Sequence, residues 1–276
     1  MQVAIASGKG GTGKTTISTA MAGYIGGRGL PVRVIDCDVE EPNVNLFLKT
    51  DIEKKIPVHT LVPSVDDDKC NGCEQCSTIC QFSAIVMVKD KPLVFPDMCH
   101  SCGGCFLACP REAITEIRKE IGFIEKGNIN NIKYIGGRLN IKEAMSPPLI
   151  KAVKEDIDNN MINIIDSPPG TSCPVIESIK GSDYVALVTE PTPFGLNDLE
   201  LAVNMVREIA LPFGVIINRA DIGDSRVNDY CKKENIDIIA SIPDSKKVAK
   251  GYSKGELIEV FINEFQDELG KILLKL

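Results

Sequence analysis

The stretch "ASGKGGTGKTT", Ala6 to Thr16, closes an apolar run and fits two phosphate-binding patterns at once. Gly8, Gly10 and Gly13 satisfy GxGxxG, which signals a dinucleotide, while Gly8, Gly13, Lys14 and Thr15 satisfy GxxxxGKS/T, which signals a nucleoside triphosphate. Both patterns aim backbone N–H groups, here those of Gly10, Gly11, Thr12 and Thr16 among them, at an anion on a helix N-terminus that carries about half a positive charge. They part at Lys14 and Thr15. A triphosphate site needs an ammonium at the β and γ phosphates and a hydroxyl for magnesium; a dinucleotide site needs neither. Asp36, at the end of the next apolar run, keeps the dinucleotide open, since an acid there would meet ribose hydroxyls. Asp166 ends the apolar run "MINIID" before "SPPG", where a triphosphate hydrolase holds magnesium directly or through water. It would otherwise cap the helix beginning near Thr171. Taken with Lys14 and Thr15, magnesium is the better use. Asp36 and Asp38, in "VIDCDVEEPN", add two acids at a strand end, one to orient water and the other to support the magnesium shell.

The second chemical signal is CxxCxxCxxxC, twice. Cys70, Cys73, Cys76 and Cys80 recur 29 residues later as Cys99, Cys102, Cys105 and Cys109, together with Ala84 and Ile85 as Ala113 and Ile114. Two-residue gaps let one loop wrap three corners of an iron–sulfur cubane, and in two-cluster ferredoxins the fourth ligand comes from the other repeat. The expected sets are Cys70, Cys73, Cys76 and Cys109 for one cluster, and Cys99, Cys102, Cys105 and Cys80 for the other. Two four-cysteine zinc sites are the alternative, although such sites use separated CxxC pairs. Of the remaining three, Cys37 and Cys173 fall near the nucleotide motifs and Cys231 does not; buried structural cysteine is the commoner role. His59 reads as structural and His100 as a neighbour of a cluster rather than a ligand.

These motifs together resemble a known family. "KGGTGKT", Lys9 to Thr15, is similar to the deviant Walker A motif of MinD/ParA-type ATPases, with Lys9 as its extra lysine. "DCD" and "DSPPGTS" resemble that family's two acidic motifs, "INRAD" at Ile217 to Asp221 its adenine-binding strand end, and "IPDS" at Ile242 to Ser245 its base-contacting loop. The resemblance covers the chain outside the cysteine-rich segment. It implies that Lys9 reaches the phosphates of a partner subunit's ATP in a face-to-face dimer and that Lys14 binds the β and γ phosphates. It further implies that Thr15 and Asp166 serve magnesium, with Asp38 orienting the attacking water beside it. Asn218 and Arg219, with Pro243 and Asp244, would line the base. The cysteine-rich segment resembles a bacterial ferredoxin with two 4Fe-4S clusters; Cys109 precedes the expected Pro110, whereas Cys80 precedes Gln81. The combination stands near Mrp-type cluster carriers and the nitrogenase iron protein. Those relatives hold a cluster between subunits, whereas here the ligands lie within one chain.

Apolar runs and helix-length segments alternate around these motifs. Gln2 to Ser7, Val32 to Asp36, Met161 to Asp166, Tyr184 to Thr189, Phe213 to Asn218 and Ile236 to Ile242 read as strands; Lys14 to Ile25, Leu196 to Ile209 and Ser225 to Lys233 read as helices. The expected fold is α/β, a mostly parallel P-loop sheet with helices on both faces, plus a small inserted ferredoxin-like α+β domain. Residues 1–63 and 118–276 form the ATPase domain and residues 64–117 the insert, whose halves are expected to be related by a local twofold with turns and edge strands over Lys89 to Pro96. In "RLNIKEAMSPPLIKAVKE" the prolines break a helix near Ser146, at what would be part of the dimer face.

With 276 residues, 43% of them hydrophobic, the chain can bury a full core. No apolar run spans a bilayer and the N-terminus enters a strand directly, so a cytoplasmic protein is expected. The charge of −7 argues against nucleic acid. The amphipathic tail is acidic at Glu259, Glu264, Asp267 and Glu268, which argues for packing on the sheet and against a membrane. The expected protein hydrolyses ATP with Mg2+ and couples ATP-driven homodimerisation to electron transfer or metallocofactor assembly, with a redox or assembly protein as partner. The alternative is a nucleotide-switched positioning or assembly factor whose clusters are structural or redox-sensing.

Overall fold

The structure is a computed structural model that describes residues 1–275. Strands buried on both faces read as continuous apolar runs, and these form the centre of the sheet: β1 (Gln2–Ala6), β2 (Val32–Asp36), β8 (Ile162–Asp166), β9 (Tyr184–Thr189) and β10 (Phe213–Asn218), with β11 (Ile238–Ile242), partly exposed, at one edge. Three further strands, β3 (Asp51–Val65), β6 (Ile114–Ile129) and β7 (Ile132–Leu139), complete nine in the order β11-β10-β9-β1-β8-β2-β7-β6-β3. The seven from β11 to β7 pair in parallel, and β6 and β3 join antiparallel.

Successive residues of a strand face opposite sides. Val3 and Ile5 therefore meet α1 (Lys14–Gly26), α2 (Val44–Leu48), α10 (Leu257–Glu264) and α11 (Gln266–Lys275) through Ile17, Met21, Val44, Phe261, Leu269 and Ile272. Ala4 and Ala6 belong to the opposite core, built by α5 (Pro147–Lys154), α6 (Cys173–Ile179), α7 (Pro193–Glu208) and α8 (Arg226–Lys233). Helix α9 (Lys246–Lys254) follows β11. The acidic tail thus packs on the sheet, and α5 starts at Pro147 directly after Ser146, as the prolines dictate. No helix among the described residues is long and apolar enough to cross a membrane.

β3 and β6 are much longer than the sheet needs. β6 leaves β7 at the pair Gly122–Leu139, and residues 114–120 continue with β3 alone, roughly 23 Å at about 3.3 Å per residue. Because β7 runs parallel to β2, this ribbon overhangs the edge where β1, β2 and β8 end. Pro57 and Pro63 sit in β3, the outermost strand, where a missing N–H is tolerated. At the far end of the ribbon are α3 (Gln75–Ile79), the hairpin of β4 (Ile85–Val88) and β5 (Lys91–Val94), and α4 (Gly104–Ala108). The strands run without interruption through positions 64 and 117.

Candidate functional site: a phosphate loop and two thiol cavities

The β1–α1 turn is tight because three glycines admit it. Gly11 and Gly13 have φ of 79° and 96°, and a Cβ on Gly8 would lie 2.0 Å from the carbonyl oxygen of Asp198. A Cβ on Gly13 would lie 2.5 Å from Nδ2 of Asn218, the same amide that donates to the Thr12 carbonyl at 2.8 Å. Asn218, expected at the base, therefore also fastens the loop. A cavity of about 560 Å3, the size of a ligand site, is walled by Gly10, Gly11, Gly13, Lys14, Thr15 and Thr16 on the loop side. Asn218, Arg219, Pro243 and Asp244 stand on the other wall, and Asp38, Glu41 and Asn43 on a third. Gly8, Lys9, Thr12 and Asp166 are not on the wall.

Asp166 is fully buried beneath the loop. Its two oxygens accept hydrogen bonds from Thr15 Oγ1 and Ser18 Oγ, both at 2.7 Å. Ser18 was not singled out from sequence, yet it lies four residues after Lys14 and so on one helical face with it. Lys14 is buried, and its pKa is lowered by burial against the attraction of Asp166 and Asp38. Asp38 is pushed up to about 6 by burial and by Asp166, with Lys14 opposing. Asp36 is also fully buried, and burial with the adjacent Asp166 raises its pKa well above the carboxylate range. Its carboxylate accepts from the backbone N–H groups of Asp38, Asn43 and Val44, each at 3.1 Å. Asp36 shapes the loop that carries Asp38 and is not free to meet ribose hydroxyls, which removes the argument for a dinucleotide.

Lys9 lies outside the cavity, 3.7 Å from Glu190, which also pairs with Arg219 at 2.6 Å. Glu190, at the carboxyl end of β9, is a second residue sequence reasoning missed. Phe47 and Tyr252, with ring centroids 5.8 Å apart, are further wall residues carrying no motif. Cys37 and Cys231 are buried and Cys173 is exposed; none lines the cavity.

The backbone of the ribbon's tip repeats with the sequence. Positive φ recurs 29 residues apart at Gly72 and Ser101, at Glu74 and Gly103, and at Ser83 and Glu112. Cys80 and Cys109 share φ −78°, with ψ 99° and 108°, so Gln81 in place of proline leaves the turn unchanged. One cavity is lined by Cys70, Cys73, Cys76 and Cys109 among Val65, Met87 and Ile114. The other is lined by Cys80, Cys99, Cys102 and Cys105 among Ile79, Phe82 and Ile85. Backbone N–H groups of Ser101 and Ala113 donate to the sulfurs of Cys99 and Cys109 at 3.4 and 3.3 Å. Burial raises the pKa of Cys76 and Cys105, so a cationic guest must displace their protons. Among the described residues no three His, Cys, Asp or Glu side chains converge on one metal ion. Four sulfurs spread round a largely apolar cavity, one of them accepting from a backbone N–H, fit an iron–sulfur cluster. His100 stacks on Phe82 at 3.6 Å beside the second cavity.

Comparison with known proteins agrees with this geometry. Residues 3–258 match the CobQ/CobB/MinD/ParA nucleotide binding domain. A protein of Methanocaldococcus jannaschii with no described function is 31% identical over 93% of this chain and 90% of its own length. An iron-sulfur cluster carrier protein of Pyrococcus horikoshii is 24% identical over 92% of this chain and 77% of its own. Among solved structures, the cell division ATPase MinD of Pyrococcus furiosus superposes with a TM-score of 0.61 at 18% identity, over 100% of this chain and 99% of that one. MinD of Pyrococcus horikoshii, complexed with Mg-ADP, gives 0.57 at 19% identity, over 97% and 93%.

Proposed function

Because the chain belongs to the CobQ/CobB/MinD/ParA nucleotide-binding family, we propose that it is a Mg2+-dependent ATPase carrying two 4Fe-4S clusters, in which an ATP-driven dimer governs electron delivery or cluster assembly on a protein partner. The observation that carries this is the crossed distribution of eight cysteines over two cavities at the tip of a ribbon that overhangs the nucleotide edge. The likeness to iron-sulfur cluster carriers supports it.

In this reading the loop N–H groups and Lys14 hold the β and γ phosphates, and the base lies between Asn218 and the Pro243–Asp244 turn. Thr15 would ligate magnesium and Asp166, buried beneath it on the Thr15 and Ser18 hydroxyls, would support the ion through the Thr15 hydroxyl or a water; the ion when bound would neutralise phosphate charge. Asp38 orients a water whose oxygen attacks the γ phosphorus as the bond to the β–γ bridging oxygen breaks; ADP leaves and the water's proton passes to Asp38 or solvent. Lys9 exchanges Glu190 for the phosphates of a partner subunit's ATP, where its charge reduces repulsion between the two nucleotides. The ribbon tips, residues 64–117, form the cluster domain.

The test is an anaerobic redox titration of the full chain with and without MgATP, with sedimentation on the same samples. A cluster potential that shifts with ATP, together with a dimer that Lys9→Ala abolishes while ATP binding persists, supports the proposal. Potentials indifferent to ATP would leave the clusters structural and favour a positioning factor.

A further inference from the structure

We propose that Lys119 is a positioning residue that ties the second cysteine loop to the segment carrying Asp38, so that nucleotide state at Asp38 reaches Cys99. This rests on the ATPase reading above and names its route to the thiol cavities.

Lys119 lies on β6 in the part that has left the sheet. Its ammonium stands 2.6 Å from Asp97 Oδ1 and 2.7 Å from Glu143 Oε2. The two ends are unequal: the Glu143 side chain is 5% exposed and that of Asp97 is 72% exposed. Losing the Glu143 contact would strand a buried carboxylate, which is costly, whereas an exposed pair contributes little and exchanges readily with water. The bridge is therefore fixed on the ATPase side and releasable on the side of the insert.

Each end continues into a site. Asp97 sits in the one-turn helix Pro96–Met98 immediately before Cys99, whose N–H donates to the Pro96 carbonyl at 3.2 Å. Glu143 sits in the segment between β7 and α5. At one end of that segment the N–H of Leu139 donates to the Val39 carbonyl at 2.9 Å, and at the other Ser146 Oγ donates to Glu40 Oε1 at 2.9 Å. Val39 and Glu40 follow Asp38 directly. A shift of Asp38 toward bound nucleotide drags both anchors, moves Glu143 and its lysine, and pulls on or frees the turn before Cys99. The ribbon offers a second route that bypasses Lys119, because Leu139, held by the Val39 carbonyl, pairs with Gly122 of β6 and the N–H of Asn140 donates to the Ile121 carbonyl at 2.9 Å, so only removal of the lysine separates the two.

Spatial continuity becomes coupling only when breaking the link breaks the effect. The experiment is amide hydrogen exchange on the anaerobically prepared full chain, with and without Mg2+ and a hydrolysis-resistant ATP analogue, for wild type, Lys119→Met and Lys119→Arg. Nucleotide is expected to change exchange over residues 97–105 in wild type and in Lys119→Arg, and the change is expected to be lost in Lys119→Met, with equal protection of residues 8–16 showing that nucleotide is bound. An unaltered nucleotide response in Lys119→Met, or none in wild type with residues 8–16 protected, overturns the proposal. Exchange is read on amides whatever the thiols hold, and iron and sulfide analysis of the same samples judges the cluster reading separately.

Discussion

Cys80 and Cys109 hold the same backbone turn, and each lies on the cavity of the other repeat's three cysteines. A tip folded as two separate halves would have kept each fourth thiol at home. The exchange makes the halves one unit, around a small core of Cys76, Ile85 and Ile114 that could not stand alone.

The exchange predicts which cluster each substitution removes. Cys80→Ala is expected to strip the site of Cys99, Cys102 and Cys105 and spare the other; Cys109→Ala does the reverse. Electron paramagnetic resonance of the reduced variants, each retaining about four of eight iron, checks the assignment.

The acids at the strand ends predict a pH dependence of stability. Asp38 titrates near 6 when folded and near the ordinary 3.8 when unfolded, so between these values the folded state binds more protons. Its burial then costs stability that is fully felt above about pH 6 and recovered as the pH falls toward about 4. Asp38→Asn is expected to melt higher than wild type at about pH 8, with the advantage fading near pH 5, and to lose hydrolysis. Thermal melts of the nucleotide-free proteins at both pH values check the sign.

Gly13→Ala is expected to break nucleotide binding as well as destabilise. The left-handed backbone there costs a residue with a Cβ about 1–2 kcal/mol, and the methyl displaces Asn218 from the Thr12 carbonyl. Titration with a fluorescent ATP analogue and chemical denaturation measure the two effects.

Ser18→Ala removes one of the two hydroxyls on Asp166 and leaves a buried carboxylate oxygen short of a donor. The expected loss is about 1–3 kcal/mol in denaturant unfolding, with hydrolysis reduced less than in Thr15→Ala, where the magnesium contact goes as well.

What was legible in the sequence follows from where each residue is buried. β2, β9 and β10 run within their expected bounds because their middles are buried on both faces and mostly apolar, with the polar residues Asp36, Thr189 and Asn218 at their carboxyl ends. β3 and β6 were not foreseen: "DIEKKIPVHTLVPSV" and "ITEIRKEIGFIEKGNI" keep one face in water, carry prolines or charges throughout, and outrun an ordinary strand. Lys14, Thr15 and Asp166 meet as their motifs require, whereas Asp36 differs from its expected use because three N–H groups of its own loop claim it. Contacts such as Lys119 with Glu143 join residues with no shared motif or periodicity, and only the fold brings them together.

Metal and sulfide analysis of protein purified without oxygen decides whether one chain of this ATPase family carries two cubanes. About eight iron and eight acid-labile sulfide per chain are predicted from two clusters on eight thiolates. Stoichiometric zinc with no sulfide in protein never exposed to oxygen would contradict that prediction.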